Sequence, residues 1–360
     1  MTQAEPQPQP ATGSAPAQAA AQSAAATGRR KSYGRYVLGK VAGAASSLAF
    51  VLVLGFFLFR VLPGDPARTL GRGKFKTEEQ LEAFRADYGL DQPLVQQFFT
   101  YLKNTAQGDL GVSYRYQGVP VSELIVDRLW PTLLLVGVAT LLSAAIGVYL
   151  GVISAWNRGK AVDRVSTGTT LTFYSMPEWW LGLLLIAAFG VGIGPLPGLF
   201  PTGGLHSTEY SGDSPVTLGY LGDTALHLVL PVLTLVLVYL ADFSLIMRSS
   251  LLDEIGEDYL TTARAKGLRD VVVRRRHATR NALLPTTTLI ALSMGFIVSG
   301  AITVETVFSI PGLGLLATEA LTIPDYWVLQ GTFLVTSAGV IVANLIANLI
   351  YGLLDPRVRS

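Results

Sequence analysis

Three acidic side chains lie within or at the ends of stretches that otherwise contain no charge: Glu178, Asp242 and Glu305. An ionised carboxylate is costly at membrane depth, so an acidic residue there is a candidate functional group that could bind a cation or relay a proton. Each could instead pair with a neighbouring helix or reach the lipid headgroups. This alternative is favoured for Asp242 and Glu305, and both interpretations stay open for Glu178.

The sequence around Glu178, SMPEWW, indicates how its helix behaves. Pro177 lacks a backbone N–H, so a helix through this position is expected to kink. Trp179 and Trp180 are more typical of an aromatic belt at the membrane interface than of a substrate clamp.

Few other groups in the chain could carry chemistry. There is no cysteine, which excludes disulfides, thiolate catalysis and Cys-ligated metals. The three histidines, His206, His227 and His277, lie in different segments, which argues against a His-rich metal site. The phosphate-binding motif G-x-x-x-x-G-K-[ST] is not present. No cofactor is therefore expected on this chain, and any ATP must be bound by a partner subunit.

The composition is that of a membrane protein. Half of the residues are hydrophobic and 14% are charged, with a mean hydropathy of +0.43, whereas soluble domains carry about 25% charged residues. Residues 1–30 are rich in Ala, Pro, Gln, Ser and Thr, which predicts a disordered tail. The apolar run that follows is longer than a signal-peptide core and is interpreted as an uncleaved first span.

Six stretches are long and apolar enough to cross a bilayer: residues 41–59, 129–157, 166–193, 224–247, 281–304 and 326–354. The predicted fold is therefore an all-α membrane protein with six transmembrane helices. An even number of spans places both termini on one side. Because the short loops 194–223 and 305–325 contain no Lys or Arg, they are assigned outside and both termini inside.

Residues 62–128, between the first two spans, are predicted to form an extracytoplasmic helical segment. TEEQLEAFRADYGL opens with a capping box at Thr77 and Gln80 and ends at Gly89. DQPLVQQFFTYLKN follows, with Pro93 placed for the first turn of a second helix. The segment could be a lid over the bundle or a docking site for a soluble partner.

The connection between the fourth and fifth spans is unusually long and basic. Residues 258–285, DYLTTARAKGLRDVVVRRRHATRNALLP, include seven Arg or Lys, whereas helix connections in bundles usually take about 2–8 residues. The pattern predicts a helix, a break at Gly267 and a second helix, a form suited to being held by another protein. The alternative is a basic inner loop that only fixes topology and attracts anionic lipid.

TTARAKGL…RRRHATRNALLP resembles the cytoplasmic coupling loop, or EAA loop, of ABC importer permeases. Thr261, Thr262 and Ala263 stand in place of Glu-Ala-Ala, and Arg280 replaces a Pro, as in the RNALLP ending of the peptide branch. Other motifs resemble the dipeptide/oligopeptide/nickel (binding-protein-dependent) transport family in the same order: LPGDP (62–66), YGLDQPLVQQF (88–98), GDLGVSY (108–114), HLVLPVLTL (227–235), VETVFSIPGLG (304–314) and LLDPRVR (353–359).

The resemblance implies a permease domain over residues 31–360, with a cytoplasmic coupling loop at 251–284, in a bacterial inner membrane. The chain would be a transport subunit, not an enzyme, of an ATP-driven importer of di- or oligopeptides. The expected partners are a second permease, two cytoplasmic ATPase domains that hold ATP and Mg, an extracytoplasmic substrate-binding protein and membrane lipid, with no nucleic acid. The alternative is a secondary transporter driven by an ion gradient, although the spans contain few ionisable residues and no clear repeat.

The resemblance also assigns roles to residues. The ATPase-coupling residues are expected to be Thr262, Ala263, Arg264, Ala265, Lys266, Gly267 and Leu268. Because a peptide carries an ammonium group, the acidic residues Glu178, Asp242 and Glu305 are candidates for the translocation path. FSIPGLG has the Pro and Gly content of a broken segment and is expected to act at the outer gate. The motifs do not distinguish among dipeptide, oligopeptide, nickel and oligosaccharide cargo.

Overall fold

The computed structural model describes residues 33–60, 77–87, 91–192, 197–210 and 217–354. These ranges are helices and connecting turns, with one isolated antiparallel bridge between Val112 and Pro120. The prediction of an all-α protein is confirmed for this part of the chain. The predicted disordered tail, the LPGDP motif, the Gly89 cap and residues 355–359 of the LLDPRVR motif lie outside the described residues.

The helices, numbered in chain order, are α1 (Tyr33–Arg60), α2 (Glu78–Asp87), α3 (Leu94–Ala106), α4 (Val121–Trp156), α5 (Ala161–Tyr174), α6 (Glu178–Leu185), α7 (Leu218–Ile255), α8 (Asp258–Ala265), α9 (Thr279–Phe296), α10 (Ile302–Val307), α11 (Leu313–Thr322) and α12 (Tyr326–Leu354). A π-helical turn, Ile186–Val191, extends α6. The short helix Asp270–Val272 and the π-helical turn Val273–Ala278 lead directly into α9. Two 3₁₀ turns, Thr208–Tyr210 and Ile297–Ser299, complete the set.

Four described helices, α1, α4, α7 and α12, are long and apolar enough to cross a membrane. The pair α5 and α6 makes a fifth candidate if it is counted as one broken span. The predicted span at residues 281–304 is interrupted, because Gly300 adopts a φ of +75° and separates α9 from α10. Length and composition therefore support four or five spans where the sequence predicted six.

The stretch predicted as one span at residues 166–193 consists of two helices that meet at 102°. Pro177 sits just before α6 in an extended conformation, with φ −60° and ψ 134°. Its ring cannot continue the helix from α5, so the predicted kink is a complete break. The break places Glu178 in the first turn of α6.

The centre of the bundle is the close packing of α4 on α7. A Cβ atom added at Gly147 would lie 2.7 Å from the backbone oxygen of Leu240, and one at Gly151 would lie 2.6 Å from that of Ser244. Glycines four residues apart let two helix backbones approach in this way. Around the contact, residues such as Leu135, Leu235 and Phe308 form the largest buried apolar cluster.

The two helices predicted in the segment after α1 are present. The Gln80 N–H lies 3.4 Å from the Thr77 hydroxyl oxygen at the start of α2, and Pro93 immediately precedes α3. The α3 helix packs on α1 through the rings of Phe98 and Phe56, whose centroids are 5.1 Å apart. This segment is therefore held against the bundle.

Candidate coupling surface and membrane path

The short helix α8 is fixed to the ends of the long helices by its inner face. Leu260 and Ala263, three residues apart, are both buried. They join an apolar cluster to which α4, α7 and the start of α9 also contribute, with members Ala155, Met247, Leu251, Val273, Ala278 and Ala282. A displacement of α8 would therefore act on three long elements at once.

The predicted break at Gly267 is a defined helix end. The Gly267 N–H donates to the Arg264 carbonyl at 2.9 Å, and the Leu268 N–H lies 3.4 Å from the Ala263 carbonyl. These are the two hydrogen bonds of a Schellman motif, in which the residue after the C-cap takes a left-handed conformation. Gly267 has a φ of +78°, which glycine adopts without the penalty of a Cβ atom.

Six of the seven predicted coupling residues are exposed. They are Thr262, Arg264, Ala265, Lys266, Gly267 and Leu268, which we call the α8 surface. Ala263 lies on the opposite side, at 7% exposure. Its side chain therefore supports the surface from within and is not available to a partner.

A tryptophan and an aspartate that the sequence did not point to fix the α8 surface at its edge. The Trp156 indole N–H donates to the Asp270 carboxylate at 3.0 Å. The guanidinium groups of Arg264 and Arg274 lie over the Trp156 ring, 6.0 and 5.9 Å from its centroid, within the range of a cation–π interaction. Only the tertiary fold brings Trp156, at the end of α4, to this position, so no sequence spacing indicates it.

A partly buried ion pair lies at the same end of the bundle. Arg248 of α7 binds Asp163 of α5 through both carboxylate oxygens, at 2.9 Å from Nε and 3.0 Å from a terminal guanidinium nitrogen. Asp163 also accepts from the Ser154 hydroxyl and, at 2.9 Å, from the Gly159 N–H. This pair joins α4, α5 and α7 just before α7 leads into α8.

Glu178 and Asp242, two of the three predicted path residues, lie near the same tyrosine. Tyr239 of α7 interacts with the Glu178 carboxylate and is close enough to Asp242 for an electrostatic interaction. The Thr303 hydroxyl donates to Glu178 at 2.8 Å. Glu178 is half-buried and Asp242 is exposed. No sequence pattern indicates Tyr239 or Thr303, which are uncharged and reach Glu178 only through the fold.

Glu305, the third predicted path residue, occupies a separate and enclosed site. Its side chain is fully buried, and its carboxylate accepts from the Thr132 hydroxyl at 2.9 Å and from the Gly314 and Leu315 N–H groups at 2.7 and 3.2 Å. The last two donors belong to the first turn of α11, where a negative charge is favourable. Glu305 thus joins α10, α11 and α4 and is closed off from solvent in this structure.

His206 and His227 both lie close to the carboxylate of Asp223. The Nδ1 atom of His227 lies 2.9 Å from the Asp223 carbonyl on the preceding turn, and the ring of His206 contacts that of Tyr220. In the ranges that the structure describes, no group of three or more His, Asp or Glu side chains is placed to hold a metal ion.

These features define the chain as a multi-span membrane protein with a rigid exposed helix fixed to the ends of its long helices. Residues 147–360 match the family described as "Binding-protein-dependent transport system inner membrane component", and residues 34–136 match the N-terminal family of the same membrane component. The chain belongs to this family of transport permeases.

Several curated proteins are similar along nearly their whole length. The dipeptide transport system permease protein DppB of Escherichia coli strain K12 is 36% identical over 338 residues, covering 90% of this chain and 98% of the relative. The oligopeptide transport system permease protein AppB of Bacillus subtilis is 35% identical, covering 90% and 99%. The glutathione transport system permease protein GsiC of Pectobacterium atrosepticum is 36% identical, covering 90% and 98%. The resemblance to a peptide ABC importer permease is confirmed.

Proposed function

We propose that this chain is the permease subunit of an ATP-driven importer of di- or oligopeptides, located in a bacterial inner membrane. Relatives named as dipeptide, oligopeptide and glutathione permeases support the cargo class. The observation that carries the proposal is the α8 surface, an exposed face whose opposite side is buried against α4, α7 and the start of α9. The partners are a second permease, two cytoplasmic ATPase domains that bind ATP and Mg, and an extracytoplasmic substrate-binding protein.

The proposed topology places residues 31–360 in one permease domain of six spans with both termini in the cytoplasm. Residues 62–128 are then extracytoplasmic, and residues 251–284 form the cytoplasmic coupling loop. The absence of Lys and Arg from residues 194–223 and 305–325 supports this orientation. The fifth span is formed by α9 and the residues that follow it, and α12 is the sixth.

The ATPase subunits contact the α8 surface, with Thr262, Arg264, Lys266 and Leu268 as its most prominent side chains. Closure of the ATPases pushes on α8. Because Leu260 and Ala263 are packed into the apolar cluster, the push moves the ends of α4, α7 and α9 rather than deforming a loop. The Arg248–Asp163 pair carries the same movement to α5. The bundle then alternates between inward-open and outward-open states.

The translocation path runs past Glu178 and Asp242, whose carboxylates attract the ammonium group of a peptide. Their partial exposure and their shared neighbour Tyr239 support a common position on the path. Glu305 has a different role, because its oxygens are already occupied by donors from α4 and α11.

The test is ATP-driven uptake of a labelled dipeptide by the complete transporter in proteoliposomes, with Lys266→Glu in this chain. Lys266 is exposed on the α8 surface, so reversing its charge should reduce uptake at least tenfold without unfolding the chain. Arg158→Glu is the matched control, because Arg158 is also exposed on a basic turn and lies outside the α8 surface. Uptake that follows an ion gradient and is unaffected by removing ATP would overturn the proposal in favour of a secondary transporter.

A further inference from the structure

A cavity of about 660 Å³ lies in the segment between α1 and α4, away from both the α8 surface and Glu178. One wall is a face of α3, a second is the loop before α4, and the third is the first turn of α12. The side chains that matter for its chemistry are Gln97, Tyr101, Asn104, Asp109, Trp327 and Gln330. The volume falls within the range of roughly 300–1,000 Å³ that is typical of small-molecule sites.

Two polar atoms at this cavity are buried without being satisfied. Gln330 is 5% exposed, and its amide nitrogen has no hydrogen-bond partner among the described residues. The Tyr101 hydroxyl lies close to Gln330 and Thr105, yet it too lacks a partner with hydrogen-bonding geometry among the described residues. A buried polar group left in this state is unfavourable, so a ligand that offers both a donor and an acceptor would bind favourably here.

The cavity wall favours a cationic or neutral ligand. Asp109 is the one charged side chain among the described lining residues, and no Lys or Arg accompanies it there. Its carboxylate is held in place because Oδ1 accepts from the Gly111 N–H at 2.9 Å. The rings of Tyr101 and Trp327 add two aromatic surfaces, which suit an ammonium group.

The loop that carries Asp109 is fitted closely to Trp327. Gly111 has a φ of +86°, and a Cβ atom there would lie 3.1 Å from the Trp327 ring. The next residues of the loop are tied to α12, because the Ser113 hydroxyl and the Tyr114 N–H donate to buried Asp325 at 2.7 and 2.9 Å. The cavity walls are therefore built into the fold.

We propose that this cavity is a binding site for the amino-terminal end of a free peptide. Asp109 and the two aromatic rings hold the peptide's ammonium group. The first peptide group accepts a hydrogen bond from the Gln330 amide and donates one to the Tyr101 hydroxyl, with Asn104 beside them. The choice of a peptide rests on the proposed function, whereas the site itself rests on the unsatisfied groups and the single carboxylate.

The experiment is calorimetric titration of the full chain in lipid nanodiscs with trialanine and with N-acetyl-trialanine. Trialanine should bind, and the acetylated peptide, which lacks the ammonium group, should bind at least tenfold more weakly. Asp109→Asn and Gln330→Leu should each weaken trialanine binding by at least tenfold. Asp127→Asn, which removes an exposed carboxylate of α4 away from the cavity, should leave binding unchanged.

Absence of trialanine binding to the unmodified chain would overturn the site, and equal binding of both peptides would overturn the role of Asp109. Because Asp109 is exposed at the rim, its variant keeps the test valid if Gln330→Leu fails to fold. Nanodisc binding needs no ATPase, so it separates the two proposals. If the complete transporter takes up the dipeptide but the chain does not bind trialanine, this site alone is refuted. If the chain binds trialanine but the transporter shows no ATP-driven uptake, the importer is refuted and the site is retained.

Discussion

The two ends of the bundle each contain a buried carboxylate, but they hold it by different means. Asp163 is neutralised by Arg248, a long side chain from another helix. Glu305 accepts from three backbone N–H groups and one threonine hydroxyl, and Asp325 similarly accepts from the N–H groups of Tyr114 and Arg115. A flexible arginine can follow a carboxylate through a small displacement, whereas backbone donors cannot. In the proposed mechanism, the end near α8 therefore moves and the end near Glu305 stays fixed.

Removal of the Glu305 carboxylate should have the largest effect on stability. Glu305→Ala leaves the Gly314 and Leu315 N–H groups without their carboxylate acceptor, and each such buried group costs about 1–3 kcal/mol. We expect a loss of about 4 kcal/mol in thermal unfolding of the chain in nanodiscs. Glu209→Ala, at an exposed glutamate, should change stability by less than about 0.5 kcal/mol. Similar results for the two variants would contradict the structural role of Glu305.

Breaking the Arg248–Asp163 pair should have a slightly smaller effect. Arg248→Ala strands a buried carboxylate, for which the usual loss is about 3–5 kcal/mol. Ser154 and Gly159 still donate to Asp163. We therefore expect a loss of stability of about 3 kcal/mol, again measured by thermal unfolding in nanodiscs.

The double variant Arg248→Met with Asp163→Leu removes both charges and should recover part of that loss, because a buried ion pair often adds little beyond an apolar pair of similar volume. The double variant should also reduce ATP-driven uptake by a larger factor than its remaining loss of stability explains. In this variant, no charged side chain that can follow a movement joins α5 to α7. Full uptake by the double variant would show that the pair only stabilises the fold.

The smallest of the three effects should come from Gly267. Gly267→Ala forces an alanine into a left-handed conformation, which costs about 1–2 kcal/mol. Gly256→Ala is the matched control at the other end of α8, because Gly256 has a φ of −78° and its added Cβ would approach the Asp253 carbonyl no closer than 3.6 Å. Hydrogen exchange of α8 should accelerate in Gly267→Ala and stay unchanged in Gly256→Ala. Equal rates in the two variants would contradict the Schellman ending.

The features that the sequence predicted well are local. Gly267 ends a helix as predicted, and Pro177 acts on its own backbone as predicted, although the expected kink is a complete break. The inward direction of Ala263 could also have been predicted, since Leu260 lies three residues earlier on the same face. Glu305 could not be distinguished from Glu178 in this way, because its donors come from Thr132 and α11, far along the chain.

The number of spans was harder to predict for a related reason. Apolar length alone treats residues 166–193 and 281–304 as continuous helices. The structure divides the first at Pro177 and the second at Gly300, and only the packing of the resulting pieces decides whether each pair crosses the membrane.

Site-specific cross-linking would test whether the ATPase subunits dock on the α8 surface, as proposed. The chain has no native cysteine, so Thr262→Cys introduces a single attachment point for a thiol-reactive photo-cross-linker on that surface. Leu321→Cys is the matched control, on an exposed position of α11 at the opposite end of the bundle. We expect a cross-link to an ATPase subunit from Thr262→Cys and none from Leu321→Cys. A cross-link from neither position, or from both equally, would contradict it.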